Sequence, residues 1–168
     1  GVAHYDTEKD AVYMPRQKDF EHYNDYLQET LRQIVSATGH QQRLAREGMV
    51  MKNGTAPSED AIKRERLVAE LASGVKMLEF GLPARLSEEG LHLTDYWVRE
   101  LKENPCLIDA VESDVNNALL VMRKAEQGEK IEYSTMRNQR ETKELMDQLS
   151  KHYLIADEIK QHPDKDNK

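Results

Sequence analysis

Apolar residues recur at intervals of three and four through most of the chain, which is the pattern of amphipathic α-helices. One such segment covers about residues 19–38, with Asp19 as the expected N-cap, and a second covers about residues 59–80. Gly39 is predicted to end the first helix as a left-handed C-cap, and Gly81 to end the second. Two long helices therefore form the predicted centre of the fold.

The second half of the chain shows weaker helical patterns. Thr94 is the expected N-cap of a short helix that ends near residue 101, and Asn104-Pro105 is a good start for a fourth helix because proline fits the first turn. Residues 129–141 are polar and are predicted to be a linker. A weaker amphipathic helix follows over residues 142–160. Its apolar stripe consists of Leu145, Leu149 and Ile155.

The clearest strand signal lies at the start of the chain. In residues 3–14, two short extended pieces flank a polar turn, and Pro15 ends the second piece. The predicted fold class is α+β, mostly α, with a small N-terminal β-hairpin. The predicted domain division is residues 1–128 for the body and residues 129–168 for a linker and a C-terminal amphipathic helix.

Charge and cysteine content narrow the classes of function. The net charge is −7, and it falls on the body, since residues 134–168 carry equal numbers of acidic and basic side chains. An acidic body is a poor surface for duplex DNA, and it favours a protein partner. The single cysteine, Cys106, excludes a cysteine zinc site and suits a reducing, cytoplasmic compartment. No apolar stretch approaches the length of a membrane span, and no signal peptide is expected.

Residues 26–44 read YLQETLRQIVSATGHQQRL. This segment resembles the zinc-binding helix in the C-terminal metallopeptidase domain of ArdC-type antirestriction proteins, which plasmids and conjugative transposons carry. In that family, H-E-L-x-H-W-T-G-H is followed shortly by R-L. This chain keeps Thr38, Gly39, His40, Arg43 and Leu44 in the same register.

Other segments match the same family in the same order. Residues 4–6 and 12–15 look like its entry hairpin, which ends in Met-Pro, and residues 65–71 (ERLVAEL) are similar to its E-E-L-V-A-E. The resemblance covers roughly residues 3–125. It implies a zincin-like domain over residues 1–128.

The differences from the family concern the zinc ligands. An active zincin binds zinc with two His at i and i+4 on one helical face, and the Glu after the first His polarises the metal-bound water. The resemblance places Arg32, Gln33 and Ser36 at these three positions. Arginine keeps its proton and cannot be a ligand, glutamine is not a base, and serine is a poor zinc donor. Glu70 remains at the position of the third ligand, and one carboxylate cannot hold zinc.

A carboxylate left in the former site needs a new partner. If the ancestral geometry persists, Glu70 faces the helix that carries Arg32, and burying the carboxylate alone would be costly. We expect the Arg32 guanidinium to replace zinc as the counter-ion of Glu70, with Ser36 or His40 adding a hydrogen bond. The pair would then hold the two helices together.

Other interpretations of these residues stay open at this point. His40 and Glu70 could form an improvised zinc site with His4 or His22. His40 also lies just beyond a helix C-terminus, where a cation is favoured without any metal.

The resemblance leads to a hypothesis of a non-catalytic zincin-like domain from a mobile-element protein, with no metal or other cofactor. Such a domain would act as a scaffold or a protein-interaction module. In relatives a separate N-terminal domain binds single-stranded DNA, and that domain is absent from this chain. The alternatives are an active zinc metallohydrolase with a rearranged site and a plain helical interaction domain.

Overall fold

The computed structural model describes the backbone of residues 1–161 and the side chains of residues 1–153. The described chain is mostly α-helical with one small antiparallel hairpin, which confirms the predicted fold class. The elements are, in order, β1 (His4–Asp6), β2 (Ala11–Tyr13), α1 (Tyr23–Thr38), α2 (Glu59–Glu79), α3 (Glu88–Glu103), α4 (Cys106–Glu126) and α5 (Tyr133–Gln161). The chain divides into two compact units, residues 1–133 and residues 134–168.

The core of the first unit lies around α2, which packs against α1, α3 and α4. The apolar side chains that repeat every three or four residues along the helices pack together there. Removing their surface from water is the main contribution to the stability of the fold. The buried cluster consists of Leu31, Val35, Val68, Ala69, Ala72, Met77, Val111, Val115, Ala118, Leu119 and Met122.

The ends of α2 lie close to the predicted bounds. The Ser58 hydroxyl accepts a hydrogen bond from the backbone N–H of Ala61 at 3.1 Å, as an N-cap should. Gly81 has a φ of 72° and follows the helix in the left-handed conformation. In the hairpin, β1 and β2 pair in the register His4 with Tyr13 and Asp6 with Ala11.

The start of α1 lies later than predicted, at Tyr23. Asp19 does not cap this helix, because its carboxylate accepts a hydrogen bond from the backbone N–H of Arg16 at 3.2 Å. That contact closes a separate 3₁₀ turn over Gln17–Asp19. The side chain expected to begin α1 therefore caps the start of the turn before it.

The predicted N-cap of α3 was wrong. The helix begins at Glu88, and the Ser87 hydroxyl caps it by accepting a hydrogen bond from the Gly90 N–H at 2.9 Å. Thr94 lies inside the helix, where its hydroxyl donates to the Gly90 carbonyl oxygen at 3.0 Å. A glycine in the first turn weakens the helical pattern, which hid the true start.

The predicted linker over residues 129–141 was also wrong in part, since α5 already begins at Tyr133. The segment is mostly polar, but its Arg, Glu, Gln, Lys and Met residues have high intrinsic helix propensity. Of the predicted apolar stripe, Leu145 and Leu149 are exposed. The side chain of Ile155 and all of residues 162–168 lie outside the described residues.

Gly39 is required for a reason other than the predicted one. Its φ is −84°, so it is not a left-handed C-cap. A Cβ on Gly39 would instead lie 2.7 Å from Nη2 and 2.8 Å from Cζ of Arg46. The position needs glycine because the Arg46 guanidinium passes directly over the end of α1.

Replacing Gly39 with alanine should therefore destabilise the fold by about 1–3 kcal/mol through overpacking. Gly74→Ala is the matched control, because a Cβ there meets the nearest atom, Ala84 Cβ, at an ordinary 3.8 Å inside α2. That change should stabilise the helix by about 0.5–1 kcal/mol. Urea unfolding of both variants measures the two effects, and equal stability of Gly39→Ala and the wild type would contradict the close-packing explanation.

Candidate functional site

A cleft of about 840 Å³ opens between the hairpin, α1, α2 and the start of α3. Most of the residues that the sequence placed in the former zinc site line it. They are Arg32, Gln33 and Ser36 from α1 and Glu70 from α2, with Ser87 from the α3 cap and Tyr5 from β1 beside them. The structure therefore brings together four of the five predicted site residues.

Each of the three nitrogens of the Arg32 guanidinium donates a hydrogen bond. Nε donates to Glu70 Oε2 at 3.2 Å, Nη1 donates to Glu29 Oε2 at 2.9 Å, and Nη2 donates to the backbone oxygen of Arg85 at 2.8 Å. The side chains of Arg32 and Glu70 are only 11% and 4% exposed. The predicted contact between these two residues is thus present, in surroundings that screen it little.

Glu70 is held by a partner that the sequence did not indicate. Its two carboxylate oxygens accept from the backbone N–H of Ser87 at 3.3 and 3.2 Å, and Oε1 also accepts from the Ser87 hydroxyl. This places the carboxylate at the N-terminus of α3, where the helix dipole favours a negative charge. Ser36 and His40, the expected second partners, do not have this role.

Gln33, at the expected position of the base, carries an amide whose nitrogen is already engaged. Its Nε2 donates to Glu29 Oε1 at 2.8 Å, next to the Arg32 contact with the same carboxylate. Within the described side chains, Gln33 Oε1 is buried and has no hydrogen-bond partner. Glu29 was missed, although its spacing of three and four from Arg32 and Gln33 on one helical face was a usable signal.

His40 lies outside the cleft and joins the hairpin to the end of α1. Its Nδ1 accepts from the backbone N–H of Gln42 at 3.1 Å, so the ring hydrogen belongs on Nε2, which donates to the Thr7 oxygen at 3.2 Å. The edge of the Tyr5 ring also faces His40. His40 is therefore not among the residues that line the cleft, and its observed contacts anchor the hairpin turn.

The improvised zinc site does not assemble. His4 stacks on Tyr13 with ring centroids 5.0 Å apart, and its Nδ1 lies 3.0 Å from the Val2 oxygen. His22 precedes α1 and lines a different, smaller pocket. Among the residues that the structure describes, no three His, Cys, Asp or Glu side chains are grouped so that they could hold a metal ion.

Comparison with known proteins agrees with this architecture. The model of the zincin-like metallopeptidase family matches residues 1–113. The chain belongs to this family. No curated protein matches it. The alternative of a plain helical domain without zincin ancestry is therefore wrong.

A solved structure of the antirestriction protein ArdC from plasmid R388, in a metal-free form, shares the fold of this zincin-like chain. The TM-score is 0.64 at 20% identity, and the match covers 77% of this chain and 45% of ArdC. The chain thus corresponds to less than half of that protein. In the described part of the chain, no helix is long and apolar enough to cross a membrane.

The zinc ion that this family implies does not fit the donors present here. The carboxylate of Glu70 already receives the Arg32 guanidinium and the Ser87 N–H and hydroxyl. Arginine has no lone pair to offer a metal, and its permanent charge would repel a dication at the same carboxylate. The site is built around a guanidinium.

A second buried ion pair supports the zincin-like domain beside the cleft. The Arg46 guanidinium donates to both oxygens of Glu65, at 2.8 and 2.7 Å, and also to Thr38 Oγ1 at 2.9 Å and the Val35 oxygen at 2.6 Å. The side chains of Arg46 and Glu65 are 2% and 5% exposed. The pair was missed, although Glu65 lies between Ala61 and Val68 on the buried stripe of α2, where a charge requires a partner.

The hairpin is fixed to α1 by a third charged cluster. Arg43 binds both oxygens of Asp10 and the hydroxyl of Tyr5, and its Nε donates to the Ala37 oxygen at 2.7 Å. The hydrogen bonds from Arg43 and from the Tyr5 hydroxyl lower the pKa of Asp10 to about 2. Burial, together with Asp10, raises the pKa of Tyr5 to about 12. The cluster therefore keeps Asp10 ionised and Tyr5 protonated.

Breaking the Arg46–Glu65 pair should be strongly destabilising. Arg46→Met leaves the Glu65 carboxylate buried without a counter-ion, which costs on the order of 3–5 kcal/mol. Arg16→Met removes the exposed pair with Asp19 and should cost less than about 1 kcal/mol. Urea unfolding compares them, and a similar small loss in both variants would show that the buried pair contributes little.

The Asp10 cluster predicts a pH dependence. Because the pKa of Asp10 is lower in the folded chain than its ordinary 3.8, its contribution to stability is fully present above about pH 4 and is lost as the pH falls through about 2. Asp10→Asn removes this contribution, which solvent screening keeps below about 1 kcal/mol. The difference in unfolding free energy between wild type and Asp10→Asn should shrink from pH 5 to pH 2. A difference that does not change with pH would contradict this role.

Proposed function

We propose that this chain is a non-catalytic zincin-like domain of an antirestriction-type protein from a mobile genetic element such as a plasmid or conjugative transposon. In this proposal the domain is a pseudoenzyme that works in the cytoplasm as a scaffold or a protein-interaction module. The observation that carries it is the Arg32 guanidinium bound to Glu70 at the former metal position.

Loss of catalysis follows from the chemistry of the site residues. Zincin hydrolysis needs a Lewis-acidic metal to polarise water and a carboxylate to take its proton. Gln33 stands where that carboxylate would be, and an amide does not accept a proton at neutral pH. Its nitrogen is also engaged with Glu29. Neither of the two required groups is provided by the residues at these positions.

The antirestriction setting rests on two likenesses, namely the family model and the shared fold with ArdC. ArdC is a longer protein, and this chain corresponds to only part of it. The acidic body is a poor partner for phosphates, which argues against DNA as its direct target. A protein partner is therefore the proposed target of the domain.

The test is the metal content of purified, tag-free protein by elemental analysis, together with zinc titration by calorimetry and a peptidase assay. We expect less than about 0.1 zinc per chain, no saturable binding heat and no peptide hydrolysis above a buffer blank, because at least three protein donors are needed. A catalytically active zincin assayed in parallel shows that the conditions support hydrolysis.

Stoichiometric zinc, or peptide hydrolysis that a chelator abolishes, would contradict the proposal. Such a result would mean that the chain is a metallohydrolase with ligands other than those at the former motif.

A further inference from the structure

We infer that Arg32 is a fixed cationic cross-link that takes over the structural work of the metal ion and sets the shape of the cleft. The inference rests on the proposed function, because it assumes that the former metal position holds no metal. It adds a specific role for one residue, namely that a single guanidinium positions the two helices and the loop that form the cleft wall.

The contacts of Arg32 connect separate segments of the chain. Through Nη1 it is tied to Glu29 on its own helix, through Nε to Glu70 on α2, and through Nη2 to the backbone of residue 85 between α2 and α3. Glu70 in turn holds Ser87, the cap of α3. Removing this one side chain would release three attachments at once.

Two side chains of α1, Gln28 and Arg32, bind the backbone of the loop before α3. Gln28 Nε2 donates to the same Arg85 oxygen at 2.8 Å, and Gln28 Oε1 accepts from the Arg85 N–H at 3.1 Å. Gln28 and Arg32 are four residues apart and therefore lie on one face of the helix. The Gln28 amide thus pairs with both backbone groups of residue 85, as a neighbouring strand would, and Arg32 adds a charge-assisted hydrogen bond to the same carbonyl oxygen.

The Glu70 carboxylate is packed tightly against the first turn of α3. A Cβ on Gly90 would lie 2.7 Å from Glu70 Oε1, so the first turn of α3 has room for the carboxylate only because that position is glycine. Glu70 therefore binds the cap of α3 through the Ser87 hydroxyl and backbone N–H, and it fills the space that a side chain at residue 90 would need. This close fit fixes the position of the carboxylate that Arg32 binds.

A guanidinium can replace a metal ion in this role for physical reasons. It is permanently charged, and its five N–H donors lie in a rigid plane, so it binds several oxygens in fixed directions as a metal ion does. It differs in that it needs no ligand deprotonation and no supply of metal. The shape of the cleft should consequently be independent of divalent ions and chelators.

The first experiment measures thermal unfolding of three variants of the full chain. Arg32→Met should lower the melting temperature by on the order of 10 °C, because Glu70 is then buried without its cation. Arg32→Met combined with Glu70→Met should recover at least about half of that loss, since both charges are gone. Arg64→Met is the control, because it removes an ion pair with the exposed side chain of Glu47 and should shift the midpoint by less than about 3 °C.

The second experiment tests whether guanidinium and metal are interchangeable. The variant R32H/Q33E/S36H restores two histidines at i and i+4 opposite Glu70, with a glutamate between them. We expect this variant to melt well below the wild type in a chelator. Zinc at about a hundredfold excess over its dissociation constant should raise its melting temperature by roughly 5–10 °C. Wild-type protein should melt at the same temperature with zinc and with chelator.

Each outcome decides the inference. An Arg32→Met midpoint within the range of the Arg64→Met control, or a double variant no more stable than Arg32→Met, would overturn the cross-link. If zinc does not raise the melting temperature of the triple variant, or does not fold a triple variant that is unfolded in chelator, the claim that a guanidinium has taken the place of the metal is overturned. Zinc binding by the wild type would instead refute the proposed function. Because this is measured on the wild type and the cross-link is tested on variants, failure of the proposed function can be told apart from failure of the inference.

Discussion

Glu70 carries a carboxylate on the buried face of α2, and the arrangement around the cleft depends on how that charge is neutralised. A side chain that is 4% exposed cannot remain ionised at low cost without a cation and hydrogen-bond donors. Arg32 supplies the cation, and the cap of α3 supplies the donors. Because the two come from different segments, satisfying one carboxylate also fixes where α1, α2 and α3 lie relative to one another.

The same rule explains the neighbouring pair. Glu65 lies five residues before Glu70 on α2 and is equally buried, and Arg46 satisfies both of its oxygens. That guanidinium passes over the end of α1, so Gly39 must lack a side chain. Two acidic residues on one helix thus attract two arginines from different places in the chain. The interior beside the cleft is therefore polar, and its polar groups are largely satisfied within the protein.

The parts predictable from the sequence were those set by local patterns and by the family register. The hairpin, the run of α2 from Ser58 and the contact of Arg32 with Glu70 follow from spacing and from resemblance to the zincin helix. The start of α3 at Ser87 and the pairing of Arg46 with Glu65 depend on tertiary contacts across the chain, which spacing does not encode. His40 was placed in the site by motif register, whereas its position beyond the end of α1 turns the ring toward the hairpin.

In the proposed register, residues 32, 33 and 36 of α1 form one coordinated difference from an active zincin. Two buried histidines and a glutamate without metal would leave lone pairs and a negative charge next to Glu70, which is worse than either the metal-bound or the arginine-bound arrangement. Arg32 alone could not coexist with a bound dication at the same carboxylate. Gln33 and Ser36 are smaller or uncharged where the motif has a glutamate and a histidine. Glu29 accepts hydrogen bonds from both the Arg32 guanidinium and the Gln33 amide. In that register the cation, the base and the second ligand have to differ together, because any one of these differences alone would leave an unbalanced charge or an unpaired polar group beside Glu70.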